Sequence, residues 1–417
     1  MKNKFLRLGV IAALCGAMTA CGSSAGTSST SAASASGSDT AVASGSVSGT
    51  TTTASGEAFK LGASGPLSGD ASVYGIAVKN AAELAIDEIN KKGGVQFELN
   101  FQDDQADTEA AVNAYNTLAD WGMQLSLFTV TSGSGQSVAP LYKEDNIFGI
   151  TPSGSSTAVI FQDAENNTNP YGNVFQMCFT DPNQGKASAD YLSEHTDLGT
   201  KVGIIYRNDD NYSTGIYNTF VEEAKAKNLD VVSTGTFTKG ATDFSVQIKQ
   251  AQDAGADIVF LPIYYQPASL VLQAAKNAGY APTFFGCDGM DGILTQDNFD
   301  TSLAEGLYML TPFSADAQDE KTQNFVKAYK DKYGETPNQF AADAYDAVNA
   351  LAQALSNSDV TPESSTDDIT AALIKQFTTM KFQGITAPGD ITWNENGEVS
   401  KEPRAIVIKD GAYVSAE

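Results

Sequence analysis

Histidine is almost missing from this chain: His195 is the only one in 417 residues. It stands beside Glu194 on the polar flank of an expected helix, so it reads as a surface residue rather than a base. Cysteine is scarce as well, four in all. One histidine and a few separated cysteines cannot assemble a zinc site. Nucleotide loops are missing too. There is no G-x-x-x-x-G-K-[ST] run, and Gly62-Ala63-Ser64-Gly65 lacks the dinucleotide spacing. No G-x-S-x-G elbow comes with a usable histidine. The pairs Asp103-Asp104 and Asp209-Asp210 fall at strand ends, where carboxylates are usually solvated or cap a turn. These absences argue against an enzyme, and no metal or cofactor is expected.

Basic charge is the other deficit. Lys and Arg number 25 against 50 Asp and Glu, for a net charge of −25. That acidity argues against nucleic acid and against direct adhesion to anionic lipid. The apolar run at residues 8–18 is too short to span a bilayer as a mature helix. Lys2, Lys4 and Arg7 precede it, which is the layout of a secretory signal over residues 1–20. Met18-Thr19-Ala20-Cys21 resembles a bacterial lipobox, and the resemblance implies a lipid on Cys21. Loss of the three basic residues would make the mature chain −28. Residues 22–56, almost all Ser, Gly, Thr and Ala, cannot bury enough surface to fold and read as a flexible tether. The expected place is therefore the extracytoplasmic face of a bacterial cell membrane, anchored through Cys21. Cys15 leaves with the signal, and Cys178 and Cys287 sit in apolar runs that suit unpaired buried thiols.

What the chain does have is a repeating α/β pattern, long enough for two domains. Strands are expected at 59–63, 97–101, 125–130 and 147–151, with helices at 74–92 and 107–121 between them. After a strand at 174–179 the pattern restarts, with strands at 201–206, 231–237, 257–261 and 283–286. Helices then cover 319–333, 339–356 and 366–377, and closing strands are expected at 381–385, 391–393 and 404–409. Such alternation implies parallel sheets with right-handed crossovers. The stretch 128–157 stands out because both of its strands end in hydroxyls and glycines, TSGSG and TPSGSST. Strand ends of this kind line the ligand crevice of an open parallel sheet, and their amides and hydroxyls suit a carboxylate.

The run LGASGPLSGDASVYGIAVKNAAELAIDEINKKGGV, then DDQAD and FGITPSGSST, resembles the leucine/isoleucine/valine-binding proteins, the solute receptors of ABC importers. FTDPNQG, VGIIYRNDDNYSTG, TDFSVQIKQAQDAGADIVFLPIYYQPA, FFGCDGMDG and GDITWNENGEV follow in the same order. The resemblance implies the type I periplasmic-binding fold: α/β, two Rossmann-like parallel-sheet lobes joined by a multi-strand hinge, with the ligand cleft between them. Lobe 1 is expected at 59–180 and 313–387, and lobe 2 at 181–312 and 388–417. Hinge crossings are expected near 179–182, 311–313 and 387–389.

The resemblance also implies site roles. Ser132 stands where relatives place a hydroxyl on the ligand α-carboxylate. Ser153 and Ser155 match positions that hold the carboxylate and the α-ammonium, and Asp288 matches a carboxylate on the ammonium. Tyr212 matches an aromatic contact from the second lobe, and Tyr264 or Tyr265 another, the register being open by one. Tyr74 matches an aromatic that flanks the ligand side chain. The chemistry is coherent without the family, since a zwitterion needs donors at one end and an acceptor at the other. The residues alone equally allow turn and cap roles for the serines, a turn role for Asp288 and plain packing for the tyrosines. Met290 stands where many relatives carry Trp, which would reshape the side-chain pocket. Ala106 and Thr131 lie near places where some relatives have a disulfide. The expected function is amino-acid capture by lobe closure, as a monomer, and delivery to an ABC permease in the membrane. A ligand-sensing lipoprotein of the same fold, or a receptor for an amide or small organic acid, is the alternative.

Overall fold

The computed structural model describes residues 57–416. Cys21, the signal segment and the whole tether lie outside the described residues. Among the described residues no helix is long and apolar enough to cross a membrane.

The first sheet is built from β1 (Phe59–Gly65), β2 (Phe97–Asp103), β3 (Leu125–Ser126) and β4 (Phe148–Thr151). A small hairpin of β5 (Phe161–Asp163) and β6 (Thr168–Pro170) precedes its last strand, β7 (Val174–Gln176). The order is β2-β1-β3-β4-β7, all parallel. Leu61, Leu99, Phe101, Leu125, Phe148 and Ile150 are fully buried, as expected where both faces of a parallel sheet are covered. The helices between these strands are α1 (Ser72–Lys92), α2 (Thr108–Trp121) and α3 (Ser132–Glu144). Asp107 caps α2 by accepting from the Glu109 and Ala110 N–H groups.

β3 is much shorter than the expected 125–130 strand, for a local reason. Phe128 takes a left-handed conformation, φ 57°, which breaks the pleat. Ser126 Oγ accepts from its N–H at 2.7 Å, and its carbonyl accepts from Ser64 N–H at 2.9 Å. The strained residue is thus pinned on both sides, directly before the turn into α3.

The second sheet has the order β14-β13-β12-β11-β10-β8-β9. Its elements are α4 (Asp181–Glu194), β8 (Lys201–Arg207), α5 (Asn211–Lys227), β9 (Asp230–Phe237), α6 (Ser245–Asp253) and β10 (Ile258–Leu261). They continue through α7 (Tyr265–Ala278), β11 (Thr283–Gly286) and β12 (Tyr308–Thr311). Strands β8 to β12 are parallel, whereas β13 (Arg404–Lys409) and β14 (Ala412–Ser415) close the edge as an antiparallel hairpin. Three helices, α8 (Glu320–Tyr333), α9 (Gln339–Ser356) and α10 (Thr366–Phe377), lie in between. α9 packs along α1 and α10 reaches β4, so this block covers the first sheet.

The chain passes between the sheets three times. The first two passages follow β7 and β12, and the third comes later than residues 387–389. Residues 391–400 stay with the first sheet: the Trp393 indole N–H donates to the Gln176 carbonyl at 2.7 Å, and Gln176 N–H donates to the Gly397 carbonyl at 2.9 Å. The expected strands at 381–385 and 391–393 reduce to isolated bridges, Phe382 with Ile391 and Trp393 with Val399. The chain leaves for the second sheet only after Lys401, so the expected lobe boundary and hinge at 387–389 move to about 401–404. Lys401 is buried there in an ion pair with Asp343 of α9, Nζ to Oδ1 2.5 Å. Cys178 and Cys287 are both buried and free, and burial pushes both thiols well above their ordinary range.

Candidate ligand-binding site

Three helix starts and one turn meet between the sheets. α1 begins tightly because Gly75 lies under the β1 turn: a Cβ there would sit 2.0 Å from the Pro66 carbonyl oxygen. That packing seats Tyr74, which is 2 % exposed, at the mouth of the first lobe. α3 begins at Ser132 with no side-chain cap, since the Thr131 hydroxyl donates to Ser134 Oγ instead. Its first amides are therefore open to an anion. α5 is capped by Asp210 and carries Tyr212 on its first turn. The turn after β11 holds Asp288 and Gly289.

These pieces enclose one narrow cavity lined by Tyr74, Val130, Thr131, Ser132, Ser153, Tyr212, Tyr264, Asp288, Gly289 and Phe340. It leaves ≈ 10 Å³ for the centre of a water-sized sphere, room for about one water. Outside it the cleft widens to a polar mouth of ≈ 450 Å³, where Arg207 and Lys239 face Asp70, Asp107 and Asp209. The inner ring is held shut across the lobes. Tyr74 Oη donates to the Gly289 carbonyl at 2.5 Å and accepts from Tyr265 N–H at 3.2 Å. Gln339 at the start of α9 donates through Nε2 to the Asp288 carbonyl at 2.7 Å. Its own N–H donates to Asp291 Oδ2 at 2.8 Å. The Lys239–Asp107 contact, 4.0 Å between exposed side chains, adds little.

Six of the eight expected residues line the cavity: Tyr74, Ser132, Ser153, Tyr212, Tyr264 and Asp288. Ser132 Oγ accepts from Ser156 N–H at 3.1 Å, and Ser153 Oγ donates to the Val130 carbonyl at 2.6 Å. Tyr212 Oη donates to Asp288 Oδ1 at 2.7 Å and accepts from Gly289 N–H at 2.9 Å. Burial pushes the Asp288 carboxyl up to about 6, with the Tyr212 bond pulling the other way. At 264/265, Tyr264 precedes the first turn of α7 and lines the cavity, whereas Tyr265 borders the outer side near Val73 and Gln266. Tyr265 backs the site rather than lining it: its ring stands edge-on to Tyr74, ring centres 5.0 Å apart, and its hydroxyl accepts from Val73 N–H at 3.4 Å. Ser155 is fully buried beneath the cavity rather than on it.

Met290 does not shape the cavity. It packs back on its own strand, where a Cβ on Gly286 would lie 2.2 Å from Met290 Cγ. The apolar lining comes instead from Val130 and from Phe340, whose ring centre is 4.3 Å from that of Tyr74. Nothing local in the sequence marks Phe340, since α9 reaches the site only by packing along α1. Gln339, one residue earlier, was hidden for the same reason. Asp103 and Asp104 serve the β2 turn: Asp103 accepts from Leu67 N–H, and buried Asp104 from Ser64 Oγ and Ala106 N–H. His195 ends α4 with its ring stacked on Tyr191.

The chain has counterparts among known proteins in sequence and in fold. Residues 58–412 match the family model described as periplasmic binding protein. The chain belongs to that family, with the leucine/isoleucine/valine-binding proteins. Leu/Ile/Val-binding protein homolog 3 of Brucella melitensis is 26 % identical over 362 residues, 86 % of this chain and 93 % of that protein. The branched-chain amino acid transporter substrate-binding protein LivJ of Streptococcus pneumoniae, solved with isoleucine, is 26 % identical with a TM-score of 0.75, covering 86 % of this chain and 99 % of that one. A solute-binding protein of R. palustris, solved with benzoate, is 20 % identical with a TM-score of 0.73 over 86 % of this chain and 95 % of that one. That last likeness concerns the fold. The architecture is thus the type I periplasmic-binding fold, and the family is one of substrate-binding proteins.

Proposed function

We propose that this chain is the extracytoplasmic substrate-binding protein of an ABC importer, anchored by a lipid on Cys21, that captures a free amino acid with a branched or other apolar side chain. The observation that carries the reading is the opposition of the uncapped α3 start at Ser132 to buried Asp288 across a ring of Tyr74, Tyr212, Tyr264 and Phe340. One wall offers donors to a carboxylate, the other an acceptor to an ammonium, and the rings offer an apolar waist. The isoleucine bound to the S. pneumoniae relative supports the same class of ligand.

An amino acid does not fit the cavity as it stands. Ligand pockets usually measure about 300–1,000 Å³, so the lobes must part to admit one. The Tyr74–Gly289 and Gln339–Asp288 bonds are among the contacts that parting breaks and closure restores. Rotation about the three crossings is the economical motion. The first lobe, with Ser132 and Ser153, receives the carboxylate; Tyr212, Tyr264 and Asp288 then close over the rest. The closed form is what a membrane permease would recognise, and the protein is proposed to act as a monomer.

A thermal-shift screen of the purified protein against the twenty amino acids and benzoate tests this. A ligand at 100 times its Kd adds about 2.7 kcal/mol of stability. A shift with one or more apolar amino acids is expected. A shift with benzoate and with no amino acid would instead favour a receptor for organic acids, the reading that the R. palustris relative supports.

A further inference from the structure

Beneath Ser155 the polar groups outnumber their partners. Ser155 Oγ, both carboxylate oxygens of Asp181, Gln184 Nε2 and Gln176 Oε1 are all buried without a hydrogen bond of acceptable geometry. Buried polar groups in folded proteins are nearly always matched, so a cluster of five such atoms calls for an explanation. The other buried carboxylates of the cleft are served: Asp288 by Tyr212, Asp343 by Lys401, and Asp346 by Ile385 and Thr386. Asp181, 1 % exposed, has neither oxygen matched.

Its placement ties it to both halves of the clamp. Asp181 opens α4 on the first crossing, and its N–H donates to the Ser155 carbonyl at 2.9 Å. Its carboxylate lies against α5, where a Cβ on Gly215 would come within 2.9 Å of Oδ2. The same helix presents Tyr212 to Asp288 one turn earlier. Gln184, one turn along α4, accepts from Asp288 N–H at 3.2 Å. Asp181 and Asp288 are therefore held by the same two helices, with Ser155 between Asp181 and the cavity. Burial holds the Asp181 carboxyl well above its ordinary range; the nearby Ser155 hydroxyl restrains it, and Asp288 and Asp210, the carboxyls facing it, add to the rise.

A ligand ammonium has three N–H bonds to place. Asp288 already spends Oδ1 on Tyr212 and has one oxygen left. We infer that Asp181, reached past the Ser155 hydroxyl as the lobes part, is the second acceptor for the ligand's cationic nitrogen, so that the site selects a full ammonium over a bare carboxylic acid. This deepens the amino-acid reading above and rests on it. Two buried carboxylates with no cation between them are costly, and a ligand bringing only a negative charge worsens the position. A zwitterion relieves it.

The test compares wild type with Asp181→Asn by calorimetric titration, using the best amino acid from the screen and the same acid lacking its amine. Wild type should prefer the amino acid. Asp181→Asn should weaken amino-acid binding by about 10- to 100-fold, the usual effect of losing a hydrogen bond to a charged group, while the bare acid binds as well or better. Equal affinities for the amino acid in both proteins, or equal losses for both ligands, overturn the inference. A second variant keeps the test independent of a folding defect: Asp181→Glu, which keeps an acceptor pair and the charge, should retain more amino-acid affinity than Asp181→Asn at matched melting temperature. Equal losses in the two variants overturn it. Should wild type bind bare acids and no amino acid, the amino-acid reading falls along with this one; indifference of Asp181→Asn in an amino-acid-binding protein sinks this one alone.

Discussion

Tyr212 Oη and Asp288 Oδ1 lie 2.7 Å apart, a buried bond joining the first turn of α5 to the turn after β11. It fixes the carboxylate before any ligand arrives, at the cost of keeping a charge out of water. Asp288 and Asp291 are pushed up to about 6 and Asp343 to about 7, chiefly by burial in each case. Between the ordinary value of 3.8 and these raised values, the folded protein holds protons that the unfolded chain has released. Stability should therefore fall as pH rises through that window. The expected outcome is a melting temperature that climbs as pH is lowered from about 7 to about 5, read by calorimetry. A falling melting temperature would count against the raised carboxyls.

Ligand affinity should run the other way. An ammonium on Asp288 favours the ionised carboxylate, so amino-acid binding should weaken as pH drops through about 6. Asp288→Asn should bind far more weakly at pH 7 and lose most of that slope. Titrations at several pH values check both, and an unchanged slope in Asp288→Asn would remove Asp288 from the role.

Lys401 and Asp343 form the buried pair at the third crossing. Lys401→Met leaves Asp343 uncompensated and should cost roughly 3–5 kcal/mol in denaturant unfolding. Lys401→Met combined with Asp343→Leu should recover much of that loss. A double variant no better than the single one would mean that the pair is not acting as a unit.

Gly75 admits no side chain without moving the Pro66 backbone. Gly75→Ala should destabilise by roughly 1–3 kcal/mol, as overpacking does, and weaken ligand binding by shifting Tyr74. Chemical unfolding and titration read the two effects separately.

The thiols of Cys178 and Cys287 should be silent in the folded protein, since both are buried and held in the protonated form. Mass spectrometry after treatment with an alkylating reagent should find neither modified until denaturant is added. Modification of both under native conditions would contradict their burial.

Much of the architecture was legible because helix and strand periods and turn residues agree locally along most of the chain. α9 and α10 fall at the expected bounds, and Asp107 and Asp319 cap helices as their type suggests. The exceptions have tertiary causes. Phe128 belongs to an apolar run that reads as strand, yet Ser126 and Ser64 hold it left-handed. Residues 391–400 look like part of a closing sheet but are claimed by Gln176. Tyr264 and Tyr265 are neighbours of one type, and only the start of α7 decides which ring faces inward. Asp181 passed as an ordinary residue at a helix start, because its unmatched oxygens are a property of what surrounds it in space.

The return of the chain to Gln176 has a consequence apart from ligand capture. β7 is the outer strand of the first sheet, and an outer strand leaves a row of amides and carbonyls that another chain can pair with. Trp393 takes the Gln176 carbonyl and Gly397 takes its N–H, so the segment lies along that margin as a selvedge. Trp393 also abuts Phe377 of α10, ring centres 4.7 Å apart, which holds the selvedge to the body. This flank of the sheet is thereby kept from recruiting a second copy.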